Sequence, residues 1–132
     1  SELQAAMGLS VLKYMPKILN NRIKAVEEYD KRFLHSGLKD MRLREGTSWN
    51  YSYYPIIFQS EDILVKVLQI LKSNNIYPRR YFYPSLNKIE FTRGGIMPVS
   101  ESIAERIMCL PLFVGLHQKD IDEIVNLINN NI

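Results

Sequence analysis

Apolar positions set the outline of this chain. From Leu3 onward they recur at Leu3, Met7, Val11, Tyr14 and Ile18, and Val26, Tyr29 and Phe33 resume the same spacing, which is that of helix. Pro16 interrupts the stretch, because proline has no N–H for an interior helical bond. The pattern therefore predicts two helices, with Pro16 at a kink or in the first turn of the second, which runs to about Leu34. His35-Ser36-Gly37 supplies the stop.

Residues 38–50 are mixed and polar. Tyr51 to Phe58 is aromatic and β-branched, which predicts a strand with Pro55 at an edge or a bend. Ser60-Glu61-Asp62 reads as a cap and acidic first turn for a helix with Ile63, Val67, Ile70 and Leu71 on its apolar face, ending near Asn74-Asn75. A second strand is predicted from Arg80 to Tyr83, then a loop from Pro84 to Gly95 and a helix from Val99 through Met108. Leu110-Pro111-Leu112-Phe113-Val114 is extended, since Pro111 bars it from a helix interior. A last helix opens at His117 and buries Ile121, Ile124, Val125 and Ile128. This order gives an α+β domain, a small antiparallel or mixed sheet covered by helices.

A length of 132 residues fits one domain. With 46% apolar and 23% charged residues, and no uncharged apolar run near the ~18 to 20 residues of a bilayer span, the composition is that of a soluble globular protein, with no membrane partner. The single Cys109 forms no internal disulfide, which fits a cytoplasmic location, and His35 and His117 make no ligand cluster, so no metal site is predicted. Cys109 itself reads as a small buried residue. The net charge of +3 is uneven: residues 1–45 carry nine basic and six acidic side chains, residues 46–95 six and three, and residues 96–132 two and five. A mild excess in the middle segment suits an anionic ligand and is too small for a nucleic-acid footprint. The N-terminus has neither an initiator Met nor the order of a signal peptide, and reads as the interior of a longer chain.

Three segments carry more specific information in combination. They are Ser1-Glu2-Leu3-Gln4-Ala5-Ala6-Met7-Gly8-Leu9 with Arg22, Ala25 and Tyr29; Asn75-Ile76-Tyr77-Pro78-Arg79-Arg80-Tyr81-Phe82-Tyr83-Pro84-Ser85-Leu86; and Ala104-Glu105-Arg106-Ile107-Met108-Cys109-Leu110-Pro111-Leu112. In this order and spacing they resemble the DegT/DnrJ/EryC1/StrS sugar aminotransferases, over nearly the whole chain. The resemblance implies the C-terminal small domain of a fold type I aminotransferase, with residues 1–35 leading from an absent cofactor-binding large domain and residues 50–132 forming an α+β core. The parent would use pyridoxal phosphate to move an amino group, from glutamate, to a keto nucleotide-sugar in polysaccharide biosynthesis, as a homodimer. The lysine that binds the cofactor lies upstream of these segments in the family, so no residue here is assigned to catalysis or to the cofactor, and the chain alone is expected to be inactive.

By the same resemblance the substrate contacts are Arg80, Tyr81, Tyr83 and Asn87. Guanidinium groups pair with diphosphates, and tyrosines offer an aromatic face and a hydroxyl to a base or sugar. Many relatives have histidine where this chain has Asn87, and an amide hydrogen-bonds without moving a proton at neutral pH. On a strand Tyr81 and Tyr83 share one face and Phe82 takes the other, so core packing competes with ligand contact for the two tyrosines. Arg22 reads either as an interdomain or dimer salt bridge or as a solvated helical arginine. Basic residues among aromatics also occur on single-strand nucleic-acid platforms, but the glycines of such motifs are missing. The alternative of another class is a stand-alone, non-catalytic interaction module.

Overall fold

The computed structural model describes residues 1–38, 41–92 and 94–132. Lys39, Asp40 and Arg93, which fall in the polar stretch and in the loop read from the sequence, lie outside the described residues. Helix α1 spans Glu2–Leu12 and α2 spans Met15–Phe33, with Pro16 in the first turn of α2, where a missing N–H leaves no intrahelical bond unmade. The two helices differ in what they bury. α1 has apolar residues on several sides and buries none, Leu3 and Leu9 being 73% and 72% exposed. α2 instead sends Ala25, Val26, Tyr29 and Phe33 into the core.

Strands β1 (Tyr54–Ile57) and β2 (Ile107–Leu110) pair antiparallel, Tyr54 opposite Leu110 and Ile56 opposite Met108. All four of these residues are buried, as the period of two requires for one face of a pleated ladder. Pro55 stands opposite Cys109. The Phe58 N–H donates to the Arg106 carbonyl, so alternation puts the bonding pairs at Ile56 and Tyr54 and turns the Pro55 nitrogen outward, where an edge strand tolerates the lost donor. Cys109 exchanges N–H and C=O bonds of 2.8 and 2.9 Å with Arg79 on the opposite side of β2.

Ser60 caps α3 (Glu61–Ser73), its hydroxyl accepting from the Ile63 N–H at 3.3 Å. Leu64, Val67 and Leu71 form the buried stripe, while Ile63 and Ile70 sit half-buried on its flanks, because the turn before Val67 that points at the core is that of Leu64. α5 (Gln118–Asn129) buries Ile121, Ile124, Val125 and Ile128, as its periodicity predicts. It packs along α2, and polar bonds staple the pair: Arg32 bonds Asp122 and Glu28, and Gln118 donates to Glu28 at 2.9 Å.

Two assignments from the sequence are corrected. α4 is Pro98–Arg106 and stops before Met108, because residues 107–110 are drawn into the ladder with β1, where Met108 becomes wholly buried. The strand therefore precedes Pro111, and only Leu110 of the 110–114 stretch belongs to it. Arg80 to Tyr83 is not a strand: pairing begins and ends at Arg79. Antiparallel continuation would set Arg80 and Tyr81 against Met108 and Ile107 of β2, and Phe82 and Tyr83 against Arg106 and Glu105, which are helical in α4; the segment leaves β2 directly after Arg79. Arg80 meets Glu105 by its side chain instead, Nη2 donating to the carbonyl at 3.0 Å.

Candidate functional site

The site begins with the way α3 ends. Asn75 adopts a left-handed φ of 60°, the Asn75 N–H bonds Lys72 O, and the Ile76 N–H reaches back to Leu71 O at 2.9 Å, which is a Schellman closure. That closure turns residues 76–79 alongside β2. Between this segment, the exit of β2 at Pro111–Phe113, the middle of α2 at Arg22 and the first two turns of α5 lies an open cleft of about 740 Å³. Arg22 and Asp120 enter it from the helices, Tyr53 and Tyr77 stand at its rim, and Arg79 and Cys109 line its wall. Its volume is in the range of small-molecule sites.

None of the four residues singled out from the sequence is among those that line this cleft. Arg80 is engaged through Nη2, which pairs with Glu61 and the Glu105 carbonyl, and its guanidinium stacks 3.6 Å from the centre of the Tyr83 ring. Its Nε is buried and without a partner. Tyr83 is 48% exposed on the outer side of that stack. Tyr81 accepts from Arg79 Nη1 at 2.6 Å, stacks on Phe82 at 5.0 Å and meets the edge of Tyr53 at 5.5 Å. Neighbouring rings of Tyr81 and Phe82 thus lie together, where strand alternation would have parted them.

Asn87 organises a loop. Its amide nitrogen donates to Gly95 O at 2.9 Å and to Glu101 Oε1 at 2.6 Å, and its oxygen accepts from the buried Ser85 hydroxyl at 2.6 Å. Glu101 also accepts from the Met97 N–H and pairs with Lys88, each at 2.9 Å. These bonds hold its carboxyl well below the usual range, at about 2, the Met97 N–H contributing most. Gly94 packs directly on this residue: a Cβ there would stand 2.5 Å from Asn87 Cβ.

Sequence reasoning did not single out Arg79 and left Arg22 between two roles. Arg79 is exposed, and its guanidinium donates to the Tyr81 hydroxyl. Arg22 is half-buried, and its Nε is shielded from solvent without a partner among the described residues. The double arginine of residues 79–80 was the available signal, but only the bridge to Cys109 decides which of the two faces the cleft. Cys109 lies at the wall with its thiol pushed up by burial, which disfavours the reactive thiolate.

Comparison with known proteins gives this geometry a context. The model of the DegT/DnrJ/EryC1/StrS aminotransferase family matches residues 1–129. The chain belongs to the DegT/DnrJ/EryC1/StrS aminotransferase family. Among curated relatives, a dTDP-4-amino-4,6-dideoxy-D-glucose transaminase of Escherichia coli is 30% identical over 97% of this chain and 37% of its own length. The chain thus spans little more than a third of that relative. Among solved structures, the aminotransferase TlmJ of Streptoalloteichus hindustanus superposes with a TM-score of 0.86 at 22% identity, over 96% of this chain and 35% of the other. The PMP form of Spr1654 from Streptococcus pneumoniae gives 0.87 at 22% identity, over 98% and 34%. The fold is accordingly that of one part of a fold type I sugar aminotransferase.

The family implies pyridoxal phosphate, and no lysine among the described residues has the setting its Schiff base needs. A Schiff-base lysine needs a desolvated setting that lowers its pKa, whereas every described lysine is exposed and none lines the cleft. The described residues also contain no cluster of three metal-ligating side chains and no helix long and apolar enough to cross a membrane.

Proposed function

We propose that this chain is the C-terminal small domain of a cytoplasmic, homodimeric, pyridoxal-phosphate-dependent aminotransferase that moves an amino group from glutamate to a keto nucleotide-sugar. The observation that carries the reading is the family match over residues 1–129, joined to a 30% identical relative named as a transaminase of a 4-amino sugar nucleotide. The PMP form of a structurally similar protein supports the cofactor. In the parent, the cofactor bound by the large domain supplies the electron sink for exchanging amine and ketone. This domain supplies a wall of the active-site cleft, and α1, which buries none of its residues, leads back towards the large domain.

Within that wall, Tyr81 and Tyr83 present a ring and a hydroxyl to the substrate. Arg80 and Asn87 act on the same region: Arg80 backs the Tyr83 ring and Asn87 fixes the loop that follows. No group that could take part in amine exchange is assigned to this chain, which alone is inactive in this proposal.

The test is made on the intact gene product. It is incubated with glutamate, pyridoxal phosphate and a dTDP-4-keto-6-deoxyhexose, and the sugar is read by mass spectrometry, with borohydride reduction to locate a pyridoxyl-lysine. An aminated sugar and a modified lysine outside residues 1–132 are expected. Absence of both would overturn the reading in favour of a non-catalytic interaction module.

A further inference from the structure

We infer that Arg22 and Arg79 hold the diphosphate of the nucleotide in the cleft between α2, β2 and residues 76–79, with the Tyr77 ring against its base. The inference rests on the nucleotide-sugar reading above and assigns the charge recognition to residues other than Arg80. Arg80 already meets a carboxylate, a carbonyl and an aromatic face, so its charge is neutralised within the domain. The two arginines of the cleft are different. Neither forms an ion pair among the described residues, whereas Arg80 pairs with Glu61.

An anion placed in the cleft pairs with the guanidinium groups of the two arginines that line it, with charge assistance. Arg79 lies on the opposing wall, oriented by the Tyr81 hydroxyl at 2.6 Å and held at its backbone by Cys109. Two guanidinium groups lining one pocket suit an extended dianion better than a single carboxylate. Asp120 is the one acidic residue lining the cleft, and its carboxylate accepts from the His117 N–H at 3.3 Å. The cleft therefore keeps a net positive lining. Tyr77 is 67% exposed at the rim, which gives a planar base an uncovered ring to stack on.

The experiment is calorimetric titration of the protein with inorganic pyrophosphate and with thymidine 5′-diphosphate. Both are expected to bind, the nucleotide more tightly through Tyr77. Arg22→Ala and Arg79→Ala should each weaken binding about ten- to a hundredfold, the range of one charge-assisted bond. Lys24→Ala, which removes an exposed charge from the same helix, should leave it unchanged, and Tyr77→Ala should weaken the nucleotide without affecting pyrophosphate. Because Arg79 is exposed, its variant tests the site without disturbing the core. No binding of either probe, or equal binding by the Arg79→Ala and Lys24→Ala variants, would overturn the assignment. Binding that depends on both arginines in a parent that aminates no sugar would sink the aminotransferase reading alone.

Discussion

Tyr29 links the core to the floor of the cleft, and its hydroxyl and ring make separable contributions. The residue is wholly buried on α2, its ring stacked 4.7 Å from Tyr54 and 6.2 Å from Phe33, and its hydroxyl donates to the Pro111 carbonyl at 3.0 Å. Burial pushes the phenol pKa up, so the group stays a donor throughout the neutral range. Tyr29→Phe keeps both ring contacts and removes only the bond. Pro111 is half-buried at the edge of the cleft, so water can replace part of the lost donor, and the cost should be about 1–2 kcal/mol. Tyr29→Ala empties a ring-sized space and should cost about 3–5 kcal/mol or more. For a domain of this size the first change lowers Tm by about 3–10 °C. Thermal and urea unfolding followed by circular dichroism measure both. A phenylalanine variant as stable as the parent would show that the Pro111 bond contributes nothing. One as damaged as the alanine variant would show that the hydroxyl, rather than aromatic packing, dominates at this position.

Acid should loosen the loop around Asn87. The folded-state pKa of Glu101 is depressed to about 2 from 4.5, so its bonds stabilise the protein above pH ~4.5 and are lost as pH falls through that window; Glu28 shares the same direction and range. Acid titrations of Glu101→Gln and the parent should therefore converge near pH ~2, and a constant gap between them would contradict the linkage. Gly94→Ala should cost about 1–3 kcal/mol by forcing Cβ into Asn87, seen as faster hydrogen exchange in residues 85–97; unchanged exchange would show that the loop simply shifts.

Periodicity alone placed α1, α2, α3 and α5, because each has a cap or breaker at a readable position and its apolar residues recur at one turn. The sequence also put Pro55 at an edge or a bend, since a residue without an N–H has few positions in a sheet. The buried set of α5 was legible residue by residue. The ordered segments containing Arg22, Arg80 and Pro111 were enough to indicate the family, because spacing within the chain survives even where local structure is misread.

Tertiary structure decided the rest. Whether Ile107-Met108 continues α4 or opens β2 depends on Tyr54–Ile57, more than fifty residues earlier, offering a ladder edge to it. Whether Arg80–Tyr83 is a strand depends on how far the segment follows β2, which it leaves after the single bridge at Arg79. The choice between Arg79 and Arg80 follows from these two events, since the bridge at Cys109 fixes one guanidinium beside the cleft while Glu61 and Tyr83 claim the other. Asn87 shows the limit most directly. Its amide chemistry was evident from the sequence, but its three partners, Ser85, Gly95 and Glu101, come together only when the loop closes on the first turn of α4. Local preference acts over one turn or one strand; the partners that decide these cases are distant along the chain and meet only in the folded state.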